Sequence, residues 1–326
     1  MTHIKTKFMA SVLASMLATA LWGQEIPSFF PEEMVVSATA LNLREKPDKQ
    51  SPKVATLKRG DVVQVVEAYK GGEYVEVDSL WAPWLKVRHQ GKTGYAFGAH
   101  LNGTLDLRYE GDILTSLPPL QWYGVYKRDS FADEVRKIEV RLSEEFNEFY
   151  GGTVKTLKTN QKDASKFIVG TLKPMKTGYA GPLGVFEVSD YFMSGDLGPG
   201  AMLGLHPGNE INDTTMKSAY TLAATGCARL EDLMVKVSDY RLTLIDYATQ
   251  PPMTQDLTEW FKTYMPDANP NVSISWYGDL DMDNKPDAVI NDCPYETGCR
   301  ASLFLSSAAK PGTFLRKVCE HIWEGD

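Results

Sequence analysis

Four aspartates near the end of the chain have the spacing of metal ligands. Asp279, Asp281, Asp283 and Asp287 occupy positions 1, 3, 5 and 9 of one short loop, residues 279–287. Carboxylate oxygens at these positions converge when the chain curls around a hard cation, and Ca²⁺ prefers such oxygen ligands. The spacing therefore predicts a calcium ion, with a structural role because it would neutralise carboxylates that otherwise repel one another.

The rest of the loop supports this prediction but also leaves an alternative. The backbone carbonyl of Lys285, at position 7, would complete the oxygen ligands, and Asn284 stands at position 6, where a left-handed residue is needed. The alternative is a metal-free acidic turn, in which the aspartates accept hydrogen bonds from neighbouring backbone amides.

The flanks of the loop exclude an EF-hand. Position 12 is Ile290 rather than the bidentate glutamate, and residues 272–276 and 288–290 have strand-like patterns. The loop instead resembles the β-hairpin calcium loop (DxDxDxxxD) of FG-GAP-like extracellular proteins. Only one copy is present, so the sequence does not predict a propeller of such repeats.

The N-terminus has the pattern of a secretory signal peptide. Basic residues precede an apolar run over residues 8–21, and Ala18 and Ala20 supply the small residues that a signal peptidase reads. A membrane anchor is the alternative, but the run is shorter than the roughly 20 residues that span a bilayer. We expect residues 1–23 to be removed, which predicts a secreted or periplasmic protein with no membrane-spanning segment after cleavage.

Export makes disulfides the expected state of the four cysteines. Three pairings are possible, and we favour Cys293 with Cys299, which closes a short loop, and Cys227 with Cys319, which ties the last strand to the body. A catalytic thiol at Cys227 lacks a neighbouring histidine as its base. A zinc site is disfavoured because no CxxC motif is present.

Residues 34–102 have the pattern of a small β-barrel. Strand-like runs alternate with turn signals, and Leu41 and Leu43 alternate with polar neighbours. Residues 34–101 resemble the bacterial SH3 (SH3b) domain. The resemblance rests on four motifs in order: ALNLREKP at 40–47, VATLKRGD at 54–61, WLKVR at 84–88 and GKTGYAF at 91–97. It implies a binding module for peptidoglycan peptide or for an envelope protein, without catalysis; a spacer or packing role is the alternative.

Aromatic residues are the candidate ligand contacts of this barrel, since they give a large contact area at low entropic cost. An insert at residues 78–83 lengthens the loop before the WLKVR strand and could reshape a groove there. Trp84 begins an alternating strand and is better placed in the core, whereas Trp81 is better placed for exposure. The four candidates are Tyr69, Tyr74, Trp81 and Trp84.

The remaining chain predicts a larger β-rich domain. Residues 103–119 contain Gly and Pro stops and are assigned as a linker, and residues 120–326 form the second domain. One helix is expected from Thr254, as N-cap, to a stop at Pro266. The predicted fold is therefore mostly β: a small SH3-like barrel, followed by a larger β-rich (α+β) domain with a single calcium-loop hairpin.

Composition and motifs favour binding over catalysis. The chain has 34 Lys and Arg against 42 Asp and Glu, and this acidic balance argues against a nucleic-acid partner. No nucleophile elbow, zinc-protease motif or phosphate-binding loop is found. The alternative function is an envelope hydrolase with an unrecognised active site in residues 120–326, for which His206, in a glycine-rich loop, is the candidate.

Overall fold

Strands account for almost all of the regular structure in this computed structural model. No α-helix occurs in the ranges that the structure describes, and no helix there is long and apolar enough to cross a membrane. The predicted mostly-β fold is confirmed. The described residues are 31–67, 74–78, 80–114, 116–128, 133–148, 151–181, 184–187, 202–205, 220–231, 234–247, 249–261, 271–295 and 298–324.

The first part of the chain forms a seven-stranded antiparallel sheet, here called the barrel sheet. Its strand order is β3-β2-β8-β7-β4-β1-β9. Strands β5 and β6 form a separate two-stranded hairpin between β4 and β7. The elements are β1 (Glu33–Val36), β2 (Ala40–Arg44), β3 (Lys53–Lys58), β4 (Val62–Glu67), β5 (Val75–Val77), β6 (Leu80–Ala82), β7 (Trp84–His89), β8 (Lys92–Phe97), the 3-10 helix η1 (Gly98–His100) and β9 (Leu101–Gly103).

The barrel core follows from the alternation in its strands. Leu41 and Leu43 are buried while Asn42 between them is exposed, as predicted. Gly94 on β8 allows the close approach of β2, because a Cβ at this position would lie 2.6 Å from the carbonyl oxygen of Arg44. The short turns between these strands therefore close a small apolar core.

A second sheet, called sheet 2, has the strand order β10-β15-β11-β12-β16. Its edge strand β10 lies inside residues 103–119, so part of the predicted linker is paired into a sheet. Strands β13 and β14 form a separate hairpin. The strands are β10 (Leu105–Arg108), β11 (Gln121–Lys127), β12 (Asp133–Ile138), β13 (Val140–Asn147), β14 (Gly152–Thr159), β15 (Phe167–Thr171) and β16 (Gly178–Gly181).

Two further sheets complete the described chain. Sheet 3 runs β17-β18-β19-β20-β21 and sheet 4 runs β22-β23-β24-β25. Their elements are β17 (Gly184–Glu187), β18 (Met202–Leu205), β19 (Tyr220–Glu231), β20 (Met234–Asp246), β21 (Met253–Asp256), the 3-10 helix η2 (Thr258–Phe261), β22 (Val272–Gly278), β23 (Asp287–Tyr295), β24 (Gly298–Leu305) and β25 (Arg316–Glu324).

Sheet 4 is buried on both faces. Ile290 and Phe304 lie in an apolar cluster with Leu222 of sheet 3, whereas the neighbouring Val289 and Leu303 lie in a second cluster with side chains of sheet 2. A strand that is covered on both sides needs a continuous apolar run instead of an alternating one, which explains the sequence that follows the acidic loop. Sheet 4 is therefore a rigid support for that loop.

The helix expected from Thr254 is wrong at its start. Strand β21 continues to Asp256 and pairs with β20, and only the short 3-10 helix η2 follows. The tertiary contacts of Gln255 explain why this segment is a strand. The amide oxygen of Gln255 accepts hydrogen bonds from the backbone N–H groups of Phe314 and Leu315. The rest of the predicted helix, from residue 262 to its stop at Pro266, lies outside the described residues.

The barrel is tied to sheet 4 by charged contacts. Arg316 at the start of β25 forms an ion pair of 2.6 Å with Glu32, and Lys310 lies 3.4 Å from the same carboxylate. Nη2 of Arg59 donates a hydrogen bond of 2.7 Å to the backbone oxygen of Leu117. These contacts join the barrel to the rest of the described chain.

Candidate functional site

The acidic loop connects β22 to β23, and the backbone fixes its shape. Gly278 and Asp287 are opposed residues of the two strands and close the hairpin. Met282 and Asn284 have φ values of 58° and 65°, so Asn284 adopts the left-handed conformation expected at position 6. The ammonium group of Lys176 donates a hydrogen bond of 2.6 Å to the carbonyl oxygen of Met282. The loop is thus held in one curled conformation.

Three of the four predicted aspartates converge inside this loop. One carboxylate oxygen from each of Asp279, Asp281 and Asp283 lies within 4.8 Å of the others. Burial is the main cause that raises the pKa of Asp279, and of Asp281, above its usual value. Oxygen atoms grouped in this way could hold a metal ion.

The same carboxylates also organise the loop backbone. Asp279 accepts hydrogen bonds of 2.9 Å from the backbone N–H groups of Asp283 and Asn284, and Asp283 accepts one of 2.9 Å from the N–H of Lys285. This pattern is the one expected of the metal-free acidic turn. The two interpretations are compatible, since a carboxylate oxygen has more than one lone pair and can bind an amide and a cation.

Asp281 contains the unsatisfied atom of the cluster. Its Oδ2 accepts a hydrogen bond from the hydroxyl of Ser307, whereas its Oδ1 is buried and has no hydrogen-bond partner among the residues that the structure describes. A buried carboxylate oxygen without a partner is unfavourable. The residues therefore fit a cation at this position, because an ion would provide the missing partner.

Asp287 has a different role from the other three acids. It is completely buried, and its oxygens accept hydrogen bonds from the backbone N–H of Leu280 at 2.8 Å, the N–H of Ser306 at 2.8 Å and the Ser306 hydroxyl at 3.0 Å. Burial raises the pKa of Asp287 well above its usual value. Asp287 lies outside the group of three and ties the loop to β24, so the predicted ligand role of Asp287, like that of the Lys285 carbonyl, stays a prediction.

Sequence reasoning missed the partners that reach the loop from outside. Ser306 and Ser307 follow β24, and Lys176 lies between β15 and β16. Nothing in the local spacing identifies them, because they are brought to the loop only by the packing of sheets 2 and 4. A Ser-Ser pair directly after a buried strand was the only available signal.

One of the two predicted disulfides is present. Cys293 and Cys299 are bonded near the turn that joins β23 to β24. The predicted pair of Cys227 and Cys319 is wrong, because both are free cysteines in the structure. Cys227 is exposed on β19 of sheet 3, whereas Cys319 is buried on β25 of sheet 4 in the core shared with sheet 2. The layering of the sheets keeps these two thiols apart.

Cys319 and His321 belong to a buried polar cluster between β25 and the segment around β10. His321 lies 3.5 Å from the carboxylate of Asp112, and burial lowers its pKa to about 4. Burial also raises the pKa of the Cys319 thiol well above its usual value. A neutral thiol beside a neutral imidazole is not an activated nucleophile, since the thiolate is the reactive form.

The barrel surface presents two of the four candidate aromatic residues. Tyr74 and Trp81 are 44% and 64% exposed. Trp84 is only 8% exposed and packs with Phe97 at 5.6 Å between ring centroids, so it belongs to the core and cannot line a ligand groove. Tyr69 lies outside the described residues, as does His206.

Comparison with known proteins identifies the barrel. Residues 39–102 match the family model described as Bacterial SH3 domain. This match confirms the resemblance drawn from the four motifs, and it covers the barrel rather than the whole chain. No curated protein and no solved structure matches the chain. An SH3b domain together with a disulfide suggests an extracellular or envelope protein.

Proposed function

We propose that this chain is an exported cell-envelope adaptor whose SH3b module, residues 34–102, binds peptidoglycan peptide. The observation that carries the proposal is the family match over residues 39–102, since SH3b domains typically bind peptidoglycan. The exposed rings of Tyr74 and Trp81 support it, because a solvent-facing aromatic pair offers contact area to an extended ligand. An envelope protein is the alternative partner.

The proposal also states where the protein is located and what each part of the chain does. Residues 1–23 act as a signal peptide that directs the protein to the periplasm or the exterior, and residues 103–326 carry the barrel and position it. The Cys293–Cys299 disulfide supports this location, because such bonds persist in oxidising compartments. The hydrolase alternative gains no support from Cys319 and His321, whose buried side chains are in unreactive states.

Co-sedimentation with purified peptidoglycan sacculi tests the binding proposal. We expect the full-length, oxidised protein to be retained, and the double variant Tyr74→Ala, Trp81→Ala to bind at least about tenfold more weakly, as for exposed aromatic hot spots. Phe146→Ala is the matched control, because this ring is 69% exposed but lies outside the barrel. No retention of the unaltered protein would contradict the proposal.

We also propose that the acidic loop binds Ca²⁺ in a structural role. The unpartnered buried Oδ1 of Asp281 supports this, as does a donor set made only of oxygen atoms. Asp279, Asp281 and Asp283 would hold the ion. Calcium would supply positive charge to a loop whose carboxylates otherwise repel one another.

Melting in the presence and absence of millimolar Ca²⁺ tests this second proposal. Calcium at about 100 times its dissociation constant stabilises a folded state by about 2.7 kcal/mol, which raises the melting temperature by roughly 5 °C or more. Asp281→Ala should abolish the shift, whereas Glu144→Ala, an exposed acid of β13, should leave it intact. An unaltered protein whose melting temperature is the same in calcium and in chelator would refute the site.

A further inference from the structure

The β5–β6 hairpin places a carboxylate beside the exposed ring of Trp81. Glu76 on β5 and Trp81 on β6 are directly opposed residues of this antiparallel pair. Opposed side chains on one face of such a pair lie about 5 Å apart at their Cβ atoms. Glu76 is exposed, as is Trp81, so the acid and the ring share the solvent-facing side of the hairpin.

Packing on the inner side fixes which residues face outwards. Val75, Val77 and Leu80 alternate with Glu76 and Trp81, and these three pack against the barrel core. A shift in register by one residue would expose this apolar set, so the pairing is strongly specified. The outer face of the hairpin therefore presents Glu76 and Trp81 in a defined arrangement.

Two further contacts complete this surface. Tyr74 is two residues before Glu76 and is also exposed, which places a second ring on the same side. Asp78, at the turn of the hairpin, forms an ion pair of 2.5 Å with Lys49 in the connection between β2 and β3. Lys49 thus neutralises Asp78 but leaves the charge of Glu76 uncompensated.

The side-chain carboxylate of Glu76 has no hydrogen-bond or ion-pair partner in the part of the chain that the structure describes. A negative charge beside two exposed aromatic rings attracts a cation in two ways. The carboxylate forms an ion pair, and the ring faces attract positive charge through their quadrupoles, most strongly in tryptophan. An anionic ligand would be repelled at the same place.

We propose that Tyr74, Glu76 and Trp81 form a subsite for a primary alkylammonium group, the free side-chain amine of a diamino acid in a peptidoglycan stem peptide. This inference rests on the proposed function and specifies the part of the wall peptide that the barrel recognises. Glu76 pairs with the ammonium group, and Trp81 and Tyr74 contact the ammonium and its alkyl chain. An amine that is acylated, as in a cross-link, loses the charge and is rejected.

Acetylation of the ligand tests the subsite without any change in the protein. Sacculi that retain free amines are compared with the same sacculi after treatment with acetic anhydride, which converts each ammonium to a neutral amide. We expect the full-length protein to bind the acetylated sacculi roughly fivefold more weakly or worse, which is the combined effect of a surface ion pair and a cation–π contact. Equal binding to both preparations would overturn the subsite but leave the proposed function standing. Failure to bind either preparation would overturn both.

Substitutions in the protein test whether the loss of binding on acetylation arises at the β5–β6 hairpin. Glu76→Gln should weaken binding to native sacculi by about threefold and leave binding to acetylated sacculi unchanged, since only the charged ligand uses the carboxylate. Glu45→Gln is the matched control, because Glu45 is an exposed acid of the same barrel that follows β2 and is not part of the β5–β6 hairpin. Trp81→Phe should bind better than Trp81→Ala. If Glu76→Gln and Glu45→Gln lose binding equally, or if neither loses any, the subsite is refuted.

Discussion

Replacement of Asp287 by alanine should lower the free energy of unfolding by about 2 kcal/mol, because the variant leaves two buried backbone donors without an acceptor and each typically costs about 1 kcal/mol or more. The donors are the backbone N–H groups of Leu280 and Ser306, whereas the hydroxyl of Ser306 can still donate to Asp283. Asp287 is fully buried at the base of the loop, so these donors are not in contact with bulk solvent. Urea unfolding at neutral pH measures the loss.

The burial of the Asp287 carboxylate makes an opposing contribution to the free energy of unfolding, which limits the loss. Burial raises the pKa of Asp287 well above its usual value, so an ionised carboxylate there is itself unfavourable, and its removal recovers part of the loss. Asp281→Ala is the matched control in calcium-free buffer, since Asp281 is only half-buried and its hydroxyl partner Ser307 is exposed, so water can solvate that hydroxyl in the variant. A loss for Asp287→Ala no larger than that for Asp281→Ala would show that Asp287 does not organise the loop.

The barrel could be predicted from the sequence because its determinants are local. Alternation of buried and exposed residues placed Leu41 and Leu43 inside, and the start of an alternating strand placed Trp84 in the core. Trp81, which lies in the insert at residues 78–83, was predicted to be exposed, and the structure confirms this. Glu76 was missed, although it is two residues from Tyr74, because its proximity to Trp81 depends on the register of the hairpin.

The acidic loop was predictable in its spacing but not in its surroundings. Positions 1, 3 and 5 and the left-handed Asn284 follow from nine consecutive residues. The roles of Ser306 and Asp287 depend on how β24 lies against the loop, and spacing alone cannot distinguish a metal ligand from an acid that ties two strands. Local patterns therefore identify the loop, whereas tertiary packing determines the role of each of its acids.

The predicted disulfide between Cys227 and Cys319 was wrong for a related reason. The bond between Cys293 and Cys299 closes a hairpin, so its two partners are brought together by local chain direction. Cys227 lies on sheet 3, whereas Cys319 lies on the face of sheet 4 that packs against sheet 2, and composition does not indicate which sheet each strand joins. The prediction of a helix from Thr254 was wrong for a similar reason. The hydrogen bonds between Gln255 and the residues just before β25 outweigh the helix signals of this segment.

His321 should make the folded protein sensitive to mild acid. Burial and, to a smaller extent, the nearby Arg108 guanidinium lower the pKa of its imidazole to about 4, whereas Asp106 acts in the opposite direction. In the unfolded chain the imidazole takes up a proton near pH 6.5, so between these two values the unfolded state binds more protons. Stability is therefore lost as the pH falls from about 6.5 towards 4, and the loss from this group reaches about 2 kcal/mol by pH 5.

Neighbouring acids act with the opposite sign, so the effect must be isolated by a variant. Burial raises the pKa values of Asp106 and Asp112, so these groups bind protons more readily in the folded state and add stability as the pH falls. His321→Gln keeps both acids but removes the imidazole. We expect the variant to be less stable than the unaltered protein at pH 7, and this difference to shrink by about 2 kcal/mol at pH 5. Urea unfolding at the two pH values measures the difference, and an NMR titration of His321 reports its pKa directly. A difference that stays constant, together with an imidazole that titrates near pH 6.5, would show that the cluster between β25 and β10 is open to water.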